Sequence, residues 1–260
     1  MDNNNSKKLP IKSILALAIM VPVRQYKIFL KALILPATIL VFLQLLDIYV
    51  FSDFPDSSLI LSLLYFLVYC YFAITCHRIV LLNEKPSGIV ESIFSRRVLS
   101  FIGWLLILSI ATGFAAVPFI IVLNFMFIDF NSSDNYFLLF ILAFIPVIFF
   151  MAKLSLIFPA VAIDEQPKIS WAWNATRNNG WRMFVVVGIL PILFSWMQEL
   201  IRRNDSIWLE DLVLSILSLI FLIIEISALS LSFKFFSDNP MGSDSIDPKK
   251  KTQWGQTQCQ

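Results

Sequence analysis

Six long, predominantly apolar runs constrain this chain more than any other feature of its sequence. Each is close to the ~20 residues that a helix needs to cross a hydrocarbon layer about 30 Å thick. Hydrophobic residues make up 58% of the chain, which is more than a soluble core of this size could bury. We therefore predict an all-α integral membrane protein with six transmembrane helices. The predicted spans are residues 32–50, 58–76, 101–123, 137–157, 183–200 and 212–233.

The positions of Lys and Arg indicate which side of the membrane each loop faces. Arg202 and Arg203 lie on one side, whereas the remaining 18 of the 20 Lys and Arg residues lie in or beside segments on the other. Because cytoplasmic loops carry the excess of Lys and Arg, both termini are predicted to be cytoplasmic. The predicted organisation is a cytoplasmic N-terminus with an interfacial amphipathic helix (1–31), a membrane domain (32–236) and a disordered cytoplasmic tail (237–260).

A short polar turn that ends in proline follows the second, fourth and sixth runs. The turns read Asn-Glu-Lys-Pro at 83–86, Asp-Glu-Gln-Pro at 164–167 and Ser-Asp-Asn-Pro at 237–240. An Ile-Leu-Pro sequence also ends at both Pro36 and Pro191, although the middle unit lacks it. Proline stops each helix because it lacks an N–H and disfavours helix at the preceding residue. We predict three pseudo-repeated hairpins, each preceded by an amphipathic cytoplasmic segment.

The stretch from 153 to 182 reads KLSLIFPAVAIDEQP followed by KISWAWNATRNNGWR. It resembles the signature of a broad group of bacterial inner-membrane proteins, which includes the membrane domain found beside some glycerophosphoryl diester phosphodiesterases. Thr176-Arg177 and Trp181-Arg182 match that signature, and Lys153 stands where the group more often has arginine. The resemblance implies a six-helix fold in the bacterial cytoplasmic (inner) membrane. It carries over no catalytic residue, because no soluble stretch is long enough for a phosphodiesterase domain.

Glu225 is the most notable polar residue inside a predicted span. It shares a helix face with Ser215, Ser218 and Ser232, which indicates one stripe along a packed seam. Ionisable residues within the membrane are costly and are functional candidates. One hypothesis is that Glu225 lines an ion or proton path and pairs with Lys153. The alternatives are a structural ion pair between helices, or a lysine that extends to the interface.

A second candidate site is an aromatic and basic cluster in the third cytoplasmic segment. Arginines that hold phosphate, beside indoles seated at the interface, would recognise a phospholipid head group. Ordinary anchoring by an aromatic belt and positive charge is the alternative. The candidate head-group contacts are Trp171, Trp173, Arg177, Trp181 and Arg182.

Signatures of catalysis and metal binding are missing from the sequence. There is no G-x-S-x-G, H-E-x-x-H or phosphate-binding glycine loop, and the three cysteines have no C-x-x-C spacing. His77, the one histidine, lies beside Arg78 at a predicted membrane boundary and is interpreted as an interfacial residue. We expect no catalytic residue, no metal, no cofactor and no binding of nucleic acid.

Two functions from different classes follow from these features. The leading hypothesis is a non-enzymatic inner-membrane protein that associates with lipid or takes part in envelope maintenance. Its expected partners are membrane lipids, with protein partners or a homo-oligomer as further possibilities. The alternative is a small transporter or channel with a polar path near Glu225.

Overall fold

The apolar runs form helices because a backbone that crosses hydrocarbon must satisfy its hydrogen-bonding groups within its own segment. The computed structural model describes residues 7–51, 55–84, 95–126, 133–201 and 208–239. The regular secondary structure of these residues is helical, and six helical segments are long and apolar enough to cross a membrane. The prediction of an all-α protein with six membrane-spanning helices is therefore confirmed.

The helices follow one another in chain order with short connections. They are α1 (Ile11–Arg24), α2 (Tyr26–Tyr49), α3 (Pro55–Leu82), α4 (Arg96–Met126), α5 (Ser133–Leu154), α6 (Ile157–Ala162), α7 (Ile169–Ala175), α8 (Gly180–Met183), a π-helical segment (Phe184–Ile189), α9 (Leu190–Ile201) and α10 (Trp208–Asp238). The membrane-spanning segments are Tyr26–Tyr49, Leu59–Leu82, Arg96–Phe119, Phe144–Ala162, Gly180–Ile201 and Trp208–Asp238.

The spans form three helical hairpins. Helix α2 packs against α3, α4 against α5, and α9 against α10. Helices α1 and α7 form in the first and third segments that were predicted to be amphipathic; most of the second, 85–94, lies outside the described residues. Consecutive spans run in opposite directions, so residues from alternate connections gather at each end of the bundle. We call the end with Arg78, Arg97 and Lys234 the basic end, and the end with Tyr49 and Asp211 the acidic end.

Helix α10 lies at the centre of the bundle and packs against α1, α2, α3, α6, α9 and the π-helical segment. Small side chains allow this close approach. Ser227, Ala228, Ser230 and Ser232 are buried on its basic half. Each of these three serines donates a hydrogen bond to the carbonyl four residues earlier, at 2.7–2.8 Å. The serines therefore bring small volume to the core without leaving a buried hydroxyl unpaired.

Prolines shape two of the spans. The fourth span is interrupted between α5 and α6, because Pro159 cannot donate to the carbonyl of Ser155 and its ring clashes with that turn. In the fifth span the π-helical segment immediately precedes the turn that contains Pro191. A π-helical turn makes room for the carbonyl that a proline ring would otherwise strike. The fifth span thus accommodates Pro191 through a π-helical segment.

Two of the repeated polar turns begin with a residue of positive φ. Asn83 and Asp164, the first residues of their turns, have φ angles of 52° and 64°. Asn and Asp tolerate this left-handed region better than other non-glycine residues. The amide of Asp164 bonds the carbonyl of Val161 and the amide of Glu165 bonds that of Ala160, at 3.1 and 2.9 Å. This is the Schellman pattern that ends a helix.

The third turn differs from the other two, because α10 continues through Ser237 and ends at Asp238. Most of the tail predicted to be disordered, residues 240–260, lies outside the described residues. Helix α3 also continues to Leu82, beyond the predicted end of the second span at Cys76. Its last turns contain His77 and Arg78, and both have partners inside the protein.

Candidate functional site

Lys153 lies in the last turn of α5, at the basic end of the bundle, and is only 7% exposed. Its ammonium nitrogen, Nζ, is 3.3 Å from the centre of the Trp173 ring. The Trp173 ring also stacks on the ring of Phe150, with ring centres 5.6 Å apart, so the lysine lies beside a group of aromatic side chains. A lysine seated on an indole is held by a cation–π interaction, which strengthens where water is excluded.

Gly180 makes room for the Lys153 side chain. A Cβ atom added at Gly180 would lie 3.5 Å from Cδ of Lys153 and 3.1 Å from Cζ of Phe149. The alkyl stem of the lysine therefore passes between the start of α8 and the aromatic side chains of α5 and α7. Packing on several sides of this stem therefore fixes the position of the ammonium group.

Arg177 brings a second positive charge to the same place. It follows α7 and is exposed, and its charge is close enough to Lys153 to repel it. The preceding residue, Thr176, is fully buried, and its hydroxyl donates to the carbonyl of Ala172 at 2.8 Å. In the part of the chain that the structure describes, the ion pairs involve Arg78 and Arg97 but neither Lys153 nor Arg177. Two cations thus lie within electrostatic range of each other, and neither forms an ion pair with a carboxylate of the described residues.

The pair of Glu225 and Lys153 suggested by the sequence is not formed as an ion pair among the described residues. Lys153 points to Trp173 instead, whereas Glu225 lies within electrostatic range of Tyr69 on α3. The reason is that α7 folds back against α5, which places an aromatic face beside the lysine. Lys153 therefore belongs with the aromatic and basic cluster.

The other predicted head-group contacts have different roles. Trp171 packs edge-on against Phe233 of α10, with ring centres 5.7 Å apart. Trp181 stacks on Phe184 at 4.9 Å and is 64% exposed, which is the position of an interfacial anchor. Only Trp173 and Arg177, of the five residues suggested by the sequence, share the site of Lys153 in the described contacts.

Arg182 holds the N-terminal segment of the chain. One guanidinium nitrogen donates to the carbonyl of Leu9, which is fully buried. Asn179 completes the clamp, because its side chain accepts from the amide of Leu9 at 2.8 Å and donates to the carbonyl of Lys7 at 3.2 Å. These contacts join residues about 170 positions apart, so no local sequence pattern could reveal them. They leave Arg182 fewer donors for a head group.

A separate ionic cluster at the basic end was not found from the sequence. Arg97 binds the Asp164 carboxylate with two hydrogen bonds, and Arg78 binds the same carboxylate and the carbonyl of Ala162. Glu84 pairs with Arg78 on the other side. Burial by itself would raise the pKa of the Asp164 carboxyl. The hydrogen bonds and charges of Arg97 and Arg78 outweigh burial, so the pKa lies below its ordinary value of 3.8. The sequence signal for this cluster was the Asp-Glu-Gln-Pro turn at 164–167, because Asp tolerates the left-handed conformation that commonly ends a helix.

His77, which the sequence analysis interpreted as an interfacial residue, is buried inside the protein. Its Nδ1 atom is 2.7 Å from the hydroxyl oxygen of Ser230 on α10. That hydroxyl donates to the carbonyl of Ile226, so the pair is complete when the Nδ1–H group of His77 donates to Ser230. The histidine therefore joins α3 to the central helix.

Glu225 lies midway along α10 and is partly exposed. The hydrogen bonds and ion pairs recorded for the described residues do not include its carboxylate. Of the serines predicted on its face, Ser215 and Ser232 are buried. Ser218 instead accepts a hydrogen bond from the amide of Gln198 at 2.6 Å, which joins α9 to α10. The serines of this stripe are thus buried or hydrogen-bonded to a neighbouring helix, whereas the Glu225 carboxylate has neither a hydrogen bond nor an ion pair among those described.

Groups of three or more His, Cys, Asp or Glu side chains that could hold a metal ion do not occur among the described residues. No family model matches the chain, and comparisons with curated proteins and with solved structures also find no match.

Proposed function

We propose that this protein is a bacterial inner-membrane protein that binds anionic phospholipid head groups at Lys153 and Arg177. The observation that carries the proposal is the convergence of these two cations without an ion pair to either among the described residues. A buried ammonium group and its charged neighbour are stabilised by an anion, and a lipid phosphate is the anion present at this level of a membrane.

The neighbours of the two cations support the same proposal. Trp173 holds the ammonium group of Lys153 in place, and the buried Thr176 fixes the backbone beside Arg177. A site that is positioned before the ligand arrives loses less entropy on binding. Trp181 adds an exposed indole of the kind found at head-group depth. The resemblance of residues 153–182 to bacterial inner-membrane proteins and the cytoplasmic orientation of this end are parts of the proposal.

Binding can be measured by native mass spectrometry of the purified full-length protein with phosphatidylglycerol and, separately, phosphatidylcholine. We expect preferential retention of the anionic lipid. Lys153→Met keeps the length of the stem but removes the charge, and we expect it to weaken phosphatidylglycerol binding about 10-fold, the worth of one charge-assisted hydrogen bond. Arg177→Gln should act in the same direction.

Lys168→Gln is the matched control, because Lys168 is an exposed lysine at the start of the same α7 segment. It removes one positive charge from this end of the protein but leaves the Trp173 site intact. Equal loss of binding in Lys168→Gln and Lys153→Met would reduce the effect to general surface charge. Equal affinity of the wild-type protein for both lipids would overturn the proposed function.

A further inference from the structure

The second unusual feature of the bundle is the carboxyl group of Glu225, which lies far from both ends of its helix. Glu225 is 14 residues from Asp211 and nine residues from Lys234 in α10. At 1.5 Å per residue these separations are about 21 Å and about 14 Å. The carboxyl therefore lies at hydrocarbon depth, in the half of the membrane nearer the basic end.

Counter-charges are remote from Glu225 on every described element that packs against α10. In α1, α2 and the fifth span, the charged residues lie toward the ends, and α6 carries none. The titratable groups near this level are on α3. They are the phenols and thiols of Tyr65, Tyr69, Cys70 and Cys76, which are neutral at physiological pH, and the imidazole of His77, which bonds Ser230 five residues along α10 from Glu225. Tyr69 is the closest in electrostatic terms. Nothing on these elements neutralises an ionised carboxylate.

An ionised carboxylate without a counter-charge costs several kcal/mol in the middle of a membrane. A carboxyl group in this position escapes most of that cost when it binds a proton. Burial of the next residues along the helix, Ile226 to Ala228, shows that one side of this turn is packed in the core. Glu225 itself is only partly covered. It is therefore not sealed inside the packed core of the bundle.

We propose that Glu225 is a proton-binding site within the membrane domain, protonated at neutral pH and able to exchange its proton with water. Reversible protonation of a carboxyl within a span is the chemistry by which membrane proteins relay or couple protons. The site is separate from that of Lys153 and Trp173, and it does not depend on the lipid proposal. It is the residue around which a transport function of this bundle would be built.

The full-length protein in liposomes can be tested with dicyclohexylcarbodiimide, an apolar reagent that reacts with protonated carboxyl groups in membranes. The carboxyl O–H adds across one C=N bond of the reagent, and the adduct rearranges to a stable N-acylurea without a leaving group. Mass spectrometry of peptides then locates the label. We expect Glu225 to be labelled at neutral pH, less at alkaline pH, and not in Glu225→Gln. Asp164, held as an anion by Arg97, is the internal control that should stay unlabelled.

Two results of the labelling experiment would overturn the proposal. Failure of Glu225 to label from mildly acidic to alkaline pH would mean that no reachable protonated carboxyl is present. Labelling that does not change with pH would mean that its proton does not exchange with water. Glu225→Gln also provides an independent measurement, since the amide replaces a protonated carboxyl closely in shape. We expect its thermal unfolding midpoint in detergent to match or exceed that of the wild type; a large decrease would show that the fold needs the ionised form.

Discussion

Arg97 and Asp164 form a bidentate ion pair that connects the start of α4 to the turn after α6. Nε of Arg97 is 2.7 Å from Oδ1 of Asp164, and Nη2 is 2.6 Å from Oδ2. The aspartate makes this contact from a left-handed backbone conformation, with φ of 64°. Its side chain and its backbone thus both contribute to one corner of the basic end.

The two contributions of Asp164 can be separated by substitution. Asp164→Asn tolerates the left-handed conformation but loses the charge, and we expect it to lower the free energy of unfolding by up to about 1 kcal/mol, because the pair is partly exposed. Asp164→Ala also pays for a left-handed alanine, which costs roughly 1–2 kcal/mol more. Thermal unfolding in detergent measures both. Equal stability of the two variants would mean that the turn relaxes to another conformation.

The same residue predicts a dependence of stability on acid. Because the pKa of Asp164 in the folded protein lies below its ordinary value of 3.8, the ionised carboxylate stabilises the fold above that value. That stabilisation is lost as the pH falls below 3.8 and through the folded pKa. Unfolding midpoints of wild type and Asp164→Asn, measured across this range, should converge at low pH. A constant difference between them would contradict the assignment.

Gly188 is required where the π-helical segment crosses α5. A Cβ atom at this position would lie 2.5 Å from the Cγ2 methyl of Ile148 and 3.3 Å from Cδ2 of Phe184. We expect Gly188→Ala to destabilise the protein by about 1–3 kcal/mol through overpacking. Gly103→Ala in α4 is the control, because an added Cβ there meets nothing within 4 Å. It should be neutral or stabilising by up to about 1 kcal/mol. Equal effects would show that the α5 contact yields easily.

The hydrogen bond between His77 and Ser230 predicts unequal effects for two neighbouring serines of α10. Ser230→Ala leaves a buried imidazole N–H without its partner, which costs about 1–3 kcal/mol. Ser232→Ala removes only a bond to the carbonyl of Ala228 in the same helix, so its effect should stay below about 1 kcal/mol. Thermal unfolding in detergent compares them. A larger loss in Ser232→Ala would contradict the importance of the link to α3.

Much of the fold was predictable from residues close together in the sequence. The lengths of the apolar runs predicted the six spans, and the turns at Asn83 and Asp164 marked the ends of the second and fourth spans. These features are local, because a helix in hydrocarbon satisfies its own backbone and a proline acts on its own turn. Boundaries were less accurate, since charged residues such as Arg78 remain helical when a partner in another element binds them.

The candidate site was only partly predictable, for the same physical reason. Trp173 and Arg177 were identified as part of a cluster in one cytoplasmic segment, whereas Lys153 was paired with Glu225 in one hypothesis and left as an interfacial lysine in another. Spacing along two helices does not specify how they rotate and pack, and α7 places its indole where the lysine needs a partner.

The sequence by itself determined that the chain is a bundle of six membrane-spanning helices arranged as hairpins, since hydrophobic length and helix-stopping turns act within each segment. The tertiary structure decided which polar groups meet. It seated Lys153 on Trp173, joined His77 to Ser230 and left Glu225 without an ion pair in the described part of the chain. Both contacts connect different helices, so they depend on how those helices pack and not on any local stretch of sequence.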